Sequence, residues 1–149
     1  MNLKEVVNLD FKTAFKAGDI ISKSVLTMLR SEIKNKEIDN NGLELTDDQI
    51  IDLINYEVKK RKDSIKQYAE AGRNDLVESE QAEVSVLMKY LPKQLSDDEI
   101  KKIVESSILE TGATSIKDLG KVMADLKSKV KGKVDGSVVA NLVKDKLSM

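Results

Sequence analysis

Apolar residues recur every three or four positions along almost the whole chain, a spacing typical of amphipathic α-helices. Glycine, proline and capping residues fall between the periodic segments, which indicates where helices begin and end. The pattern predicts four helices before the chain's single proline, over residues 3–17, 20–39, 47–71 and 75–91. Their predicted N-caps are Asn2, Asp19, Thr46 and Asn74, and Thr46 pairs with Gln49 in a capping box.

Pro92 cannot continue the fourth helix, and the helices predicted after it are shorter. Three follow, capped by Ser96, Ser115 and Asp135 and ending near Gly112, Val130 and Leu147. No segment shows the alternating β-branched pattern of a strand. We therefore predict an all-α fold without a sheet: an N-terminal four-helix subdomain, residues 1–91, and a C-terminal three-helix bundle, residues 92–149.

Composition removes several kinds of chemistry. The 149 residues include no cysteine, histidine or tryptophan, which excludes disulfides, thiolate nucleophiles, Ser-His-Asp triads and His or Cys metal sites. Apolar residues make up 40% and charged residues 34%, the balance of a soluble globular chain. Because no run approaches a membrane span and the N-terminus does not resemble a signal peptide, we expect no membrane association and a cytoplasmic location.

Basic charge is concentrated near the C-terminus. The chain carries 25 basic and 26 acidic residues, but residues 117–146 contain eight lysines and four acids. The run Lys131-Gly132-Lys133 falls in the turn before the last helix, where we expect Gly132 to take a left-handed conformation and Asp135 to act as the N-cap. Lysines beside a helix N-terminus favour a bound anion, although a solvated basic turn is an equally good interpretation.

Two charged residues fall inside predicted apolar stripes. Arg61 shares the arc of the third helix with Ile54 and Val58, and Glu80 lies within the stripe of the fourth helix. A charge held in an apolar stripe needs a partner, because unpaired burial costs several kcal/mol. We predict a buried ion pair between Arg61 and Glu80; a polar ligand site is the alternative.

Other candidate chemistry is sparse. Glu78, Glu80 and Glu83 form a carboxylate cluster, but a di-iron bundle also needs histidine, so we predict no metal site. The dispersed glycines form no phosphate-binding loop or dinucleotide fingerprint, and we predict no cofactor. The three tyrosines are too few for a base-stacking platform.

A set of residues in a fixed order resembles the YqeY family over almost the whole chain. The motifs in the first part are Arg30 with Ile33-Lys34, Lys60-Arg61, Ala71-Gly72-Arg73-Asn74-Asp75-Leu76, Glu80 with Glu83, and Tyr90-Leu91-Pro92 with Gln94-Leu95. The second part, with Gly120, Met123, Lys131-Gly132-Lys133, Asp135-Gly136 and Val143-Lys144 to Leu147, is similar to the tail domain of the GatB subunit of the tRNA-dependent amidotransferase. The resemblance implies four N-terminal helices followed by a three-helix tail.

The resemblance also implies a function. The amidotransferase tail contacts the outer part of tRNA, while the chemistry of that enzyme resides in parts that these 149 residues lack. We therefore expect a noncatalytic tRNA-associated module. Its candidate RNA-binding residues are Lys121, Lys131, Gly132, Lys133 and Lys144.

Two alternatives remain open. One is a helical protein-interaction module that docks on an enzyme partner. The other is a carbon–nitrogen ligase with glutamine as amido-N-donor, the activity that family membership would suggest. Turnover of glutamine, ATP and misacylated tRNA by the purified protein would establish the ligase.

Overall fold

A computed structural model describes residues 1–148, and within that range the chain folds into α-helices without any β-strand. The all-α prediction is confirmed. Seven α-helices and one 3-10 turn, Ile116–Asp118, lie in the described residues. The α-helices are α1 (Leu3–Ala17), α2 (Ile20–Asp39), α3 (Asp47–Glu70), α4 (Asn74–Met88), α5 (Asp97–Thr111), α6 (Leu119–Val130) and α7 (Gly136–Leu147).

Most helix boundaries follow from local capping chemistry. The side chains of Asn2, Asp19 and Asp135 each accept a hydrogen bond from a backbone N–H in the first turn of the following helix. Thr46 with Gln49 and Ser96 with Glu99 form the predicted capping boxes. These interactions connect residues two or three positions apart, which is why the sequence alone locates them.

Three helix boundaries differ from the prediction. Asn74 is the first residue of α4, and Arg73 occupies the N-cap position without a side-chain capping bond. Arg73 instead directs its guanidinium to Asp75, with Nη2 3.1 Å from Oδ2. The chain after Ser115 makes a 3-10 turn before α6 begins at Leu119. Helix α4 ends at Met88, three residues before Leu91.

Packing divides the chain into two compact units, Met1–Leu91 and Pro92–Met149. In the first unit, α1 to α4 surround a buried apolar core, and the long helix α3 packs against α4. The buried members of this core are Val7, Val25, Leu26, Leu29, Ile33, Ile50, Leu53, Ile54, Val58, Val86 and Leu87. Tyr90 adds a polar anchor, because its hydroxyl donates to Asp10 Oδ2 at 2.6 Å.

The second unit has its own core between α5, α6 and α7. Its buried residues are Ile100, Val104, Val122, Leu126, Val130, Val139, Val143 and Leu147. Ser107 is fully buried and donates to Asp125, which also binds Lys129. None of the helices in residues 1–148 combines the length and the hydropathy of a membrane-spanning segment.

Candidate functional site

The basic turn between α6 and α7 has a defined backbone. Gly132 adopts a φ of +74°, a left-handed conformation that an L side chain would strain. Lys133 N–H donates to Val130 O at 2.9 Å and closes the turn. The carboxylate of Asp135 accepts from Ser137 N at 2.9 Å and starts α7. The expected roles of Gly132 and Asp135 are therefore those found in the structure.

A second segment holds this turn in place. Gln94 Nε2 donates to Gly132 O at 2.7 Å, and Leu95 N donates to Lys133 O at 3.0 Å. Two backbone carbonyls of the turn thus accept hydrogen bonds from residues that lie 38 positions earlier in the chain. Gln94 and Leu95 belong to the motifs that carry the YqeY resemblance, but local sequence patterns gave no sign that they reach the turn.

The five candidate RNA-binding residues lie in three places: the turn, α6 and α7. Lys131, Gly132 and Lys133 are together on the turn, where the two lysines are partly buried. Lys121 and Lys144 are exposed on α6 and α7. At 1.5 Å per helical residue, they lie about 14 Å and about 12 Å along their helices from the helix ends that adjoin the turn. The residues therefore form a pair with two outlying lysines, not one compact patch.

Intramolecular ion pairs engage other lysines of the same unit. Lys129 Nζ lies 2.7 Å from Glu110 Oε2 and 2.9 Å from Asp125 Oδ2, and these hydrogen bonds raise the pKa of Lys129. Lys146 Nζ pairs with Glu105 Oε1 at 3.0 Å. These ion pairs join α5 to α6 and to α7.

Arg61 is largely buried, and its direct partners differ from the predicted Glu80. Its Nη1 donates to Glu57 Oε2 at 2.6 Å and to Glu57 O at 3.1 Å, one turn earlier on α3. Glu57 is only 1% exposed, and the Arg61 side chain is 11% exposed. Arg61 Nη2 also lies 3.5 Å from Glu83 Oε1 on α4. Arg61 therefore joins α3 to α4 through Glu83, while Glu57 neutralises it within α3.

Glu80 lies outside this hydrogen-bonded set. Desolvation by burial and the nearby charge of Glu83 raise the pKa of Glu80, and the charges of Arg61 and Lys60 partly offset them. The structure therefore does not show the predicted direct bridge between Arg61 and Glu80. Glu57 and Glu83 make the direct contacts with Arg61, and Glu80 interacts with it electrostatically at longer range.

This arrangement predicts that Glu80→Gln leaves the protein as stable as the wild type or slightly more stable at neutral pH. A carboxyl whose pKa is raised by folding destabilises the folded state above that pKa, and the penalty disappears as the pH falls below the unfolded-state value. The gain should therefore vanish in acid. Urea unfolding of both proteins at neutral and acidic pH measures it, and a clear loss of stability at neutral pH would contradict the assignment.

Metal ligation finds no support in the described part of the chain. No group of three or more acidic, histidine or cysteine side chains there is placed to hold a metal ion. Glu78 is exposed, whereas Glu80 and Glu83 are partly buried near Arg61. An adjacent guanidinium makes these carboxylates poor ligands for a cation.

These features define a small helical protein with two compact units, an ion-pair cluster in the first and a basic turn in the second. The family model described as Yqey-like protein matches residues 4–147, and the chain belongs to the YqeY family.

Curated relatives carry the name "Altered inheritance of mitochondria protein 41, mitochondrial". The protein of Lachancea thermotolerans is 41% identical over 91 residues, which cover 60% of this chain and 49% of the relative. That of Saccharomyces cerevisiae strain YJM789 is 30% identical over 113 residues, covering 72% of this chain and 61% of the relative. The Kluyveromyces lactis protein is 37% identical over 81 residues, covering 54% and 44%. The matches thus span between two fifths and three fifths of the relatives' length.

Proposed function

We propose that this YqeY-family protein is a noncatalytic tRNA-associated module, and that its second unit is related to the tail of the amidotransferase GatB subunit. One observation carries the proposal: the turn holding Lys131 and Lys133 is braced by hydrogen bonds from Gln94 and Leu95 to its carbonyls. A braced turn has already lost most of its backbone freedom, so less conformational entropy of the backbone remains to be lost on binding.

The physical role of such a turn is to position a phosphate backbone. Lysines bind phosphates as point charges and carry no direct information on base sequence. Lys121 and Lys144, more than 10 Å from the turn by helical rise, would contact other phosphates of the same RNA. The module would therefore recognise the shape and charge of tRNA, with no bond made or broken.

The two compact units suggest separate modules. We propose that residues 1–91 and 92–149 are independent folding units, since each has its own apolar core. The names of the curated relatives place those proteins in mitochondria, whereas the lack of a signal-peptide pattern and of a membrane-spanning run led us to expect the cytoplasm. Phosphate contacts act in either compartment, so the proposed mechanism does not depend on the location.

A protein-interaction module is the second candidate, favoured by exposed apolar side chains of the second unit. Leu109 is 81% exposed and Ile116 is 48% exposed. Apolar docking through such residues would be nearly indifferent to salt, whereas phosphate contacts weaken steeply as salt rises. Salt dependence therefore separates the two candidates.

Changing Lys131 and Lys133 together to alanine should weaken tRNA binding and reduce the slope of log K against log salt by about 1 to 2 units. Thermal stability should be preserved, because the bonds that brace the turn are accepted by its backbone carbonyls and not by its lysine side chains. Filter binding or fluorescence anisotropy across a salt series measures both quantities.

The matched control is Lys101→Ala with Lys102→Ala, which removes the same charge from two exposed positions on α5. This control should retain more of the affinity and slope than the turn variant. Equal losses of affinity in the two variants would show that tRNA binding depends on overall charge and not on the turn. Unchanged binding in the turn variant would move the RNA site elsewhere.

A further inference from the structure

A polar groove lies between α1 and α2 in the first unit and takes no part in the proposed RNA contacts. It has a volume of about 380 Å³, within the range of small-ligand sites. Its lining includes Lys4, Asn8, Thr27, Arg30, Lys34 and Glu37. Arg30 and Lys34 are also among the motif residues of the resemblance, and neither is part of the apolar core.

Arg30 is held in a fixed orientation. Its Nε donates to Asn8 Oδ1 at 2.9 Å, and its guanidinium carbon lies 4.2 Å from the centre of the Phe11 ring. The hydrogen bond at the edge of the guanidinium and the ring contact on its face restrict the rotamers of Arg30 in the absence of a ligand. Among residues 1–148, Asn8 is the one hydrogen-bond acceptor of Arg30, so the terminal guanidinium nitrogens keep their donor capacity.

The acidic residue of the lining is already neutralised. Lys4 Nζ lies 2.9 Å and 3.0 Å from the two carboxylate oxygens of Glu37, and Leu45 N donates to the same carboxylate at 3.1 Å. The hydrogen bond from Lys4 keeps the pKa of Glu37 below its usual range, so this pair stays ionised. Lys4 Nζ also lies 3.4 Å from Glu44 Oε1. The remaining charge of the groove comes from the cations Arg30 and Lys34.

We propose that this groove binds a phosphate group, with the terminal nitrogens of Arg30 and the ammonium of Lys34 as its principal donors. Two features favour phosphate over a simple halide or a neutral ligand. The planar guanidinium presents parallel N–H groups that match two oxygens of one phosphate, and charge-assisted bonds of this kind are stronger than neutral ones. Lys34 lies one helical turn after Arg30 on α2, close enough to contact the same group.

The groove accommodates either free phosphate or a phosphate monoester. Both present the same terminal oxygens to Arg30, and the volume leaves room for a small organic substituent. The site belongs to the first unit and requires no RNA binding by the second, so it stands or falls independently of the proposed function.

The test is titration of the full-length protein with inorganic phosphate and with a nucleoside monophosphate, followed by heteronuclear NMR at constant ionic strength. We expect shifts of the Asn8 side-chain amide and of Arg30 Nε–H, with a dissociation constant on the order of 1 mM or below. Arg30→Lys should weaken binding at least about tenfold, because it keeps the charge but loses the planar pair of donors. Lys34→Gln should weaken binding without abolishing it.

The control is Arg73→Lys, the same substitution at an exposed arginine that is engaged with Asp75. It should leave phosphate binding unchanged. Tighter binding of the monoester identifies an ester as the occupant, and tighter binding of inorganic phosphate identifies the free ion. The proposal is overturned if neither compound shifts the groove signals, if acetate shifts them equally, or if Arg30→Lys binds as tightly as the wild type.

Discussion

Glu57→Ala should lower the free energy of unfolding of the first unit by about 3 to 5 kcal/mol, the range for breaking a buried ion pair. Glu57 is 1% exposed and lies 2.6 Å from Arg61. Its removal leaves a largely buried guanidinium with Glu83 as its remaining ion-pair partner, 3.5 Å away. Arg61 Nε already lacks a hydrogen-bond partner among the described residues, so losing the bonds to the Glu57 carboxylate adds a further unsatisfied donor to the same guanidinium. Urea denaturation gives the difference.

Glu80→Ala is the matched control, because it removes the same side chain from the neighbouring helix α4. It should cost less than about 1 kcal/mol, since Glu80 interacts with Arg61 only at longer range. The double variant Glu57→Leu with Arg61→Met should recover much of the lost stability by replacing both charges with apolar groups. A larger loss of unfolding free energy from Glu80→Ala than from Glu57→Ala would contradict this assignment and favour the Arg61–Glu80 bridge that the sequence pattern predicts.

Leu126→Ala should destabilise the second unit by about 2 to 5 kcal/mol, through lost burial and the cavity that it leaves. Leu126 is fully buried at the centre of the core of α5 to α7. If the units fold independently, the stability of the first unit should not change. Leu87→Ala, at a fully buried position in the other core, is the reciprocal change.

The distribution of aromatic residues makes this separation measurable. All three tyrosines lie in the first unit, so tyrosine fluorescence follows that unit, while far-ultraviolet circular dichroism follows the helices of both. Leu126→Ala should shift a circular-dichroism transition and leave the fluorescence transition unchanged. Equal shifts in both signals would show that the two units unfold together.

The features that the sequence predicts well are local ones. Thr46 and Gln49, or Ser96 and Glu99, interact across three residues, so their chemistry is visible in a short window. The apolar periodicity likewise locates the buried face of α3, including Ile50 and Ile54. Two helix starts are exceptions. Asn74 is the first residue of α4 instead of its N-cap, and Arg73 bonds to Asp75. A 3-10 turn separates Ser115 from the start of α6.

The features that the sequence missed depend on partners far along the chain or on burial of a charge. Gln94 reaches Gly132 across 38 positions, and Asn8 reaches Arg30 across 22. Only the tertiary fold brings these groups together. Glu57 is a different case. A glutamate four residues before an arginine is a common helical ion pair, so the contact with Arg61 is visible in the sequence. The burial of Glu57 is not, because a charged residue is normally expected to be exposed.

We propose that the protein binds tRNA through phosphate contacts, and the dependence of wild-type affinity on salt is the most direct test. If the four candidate lysines each contact a phosphate, log K should fall linearly with log salt with a slope of about −3. The measurement uses the full-length protein and a folded tRNA over a series of salt concentrations. A linear decrease with that slope is the predicted result; the absence of binding at low salt, or an affinity that salt does not change, would rule out binding through these phosphate contacts.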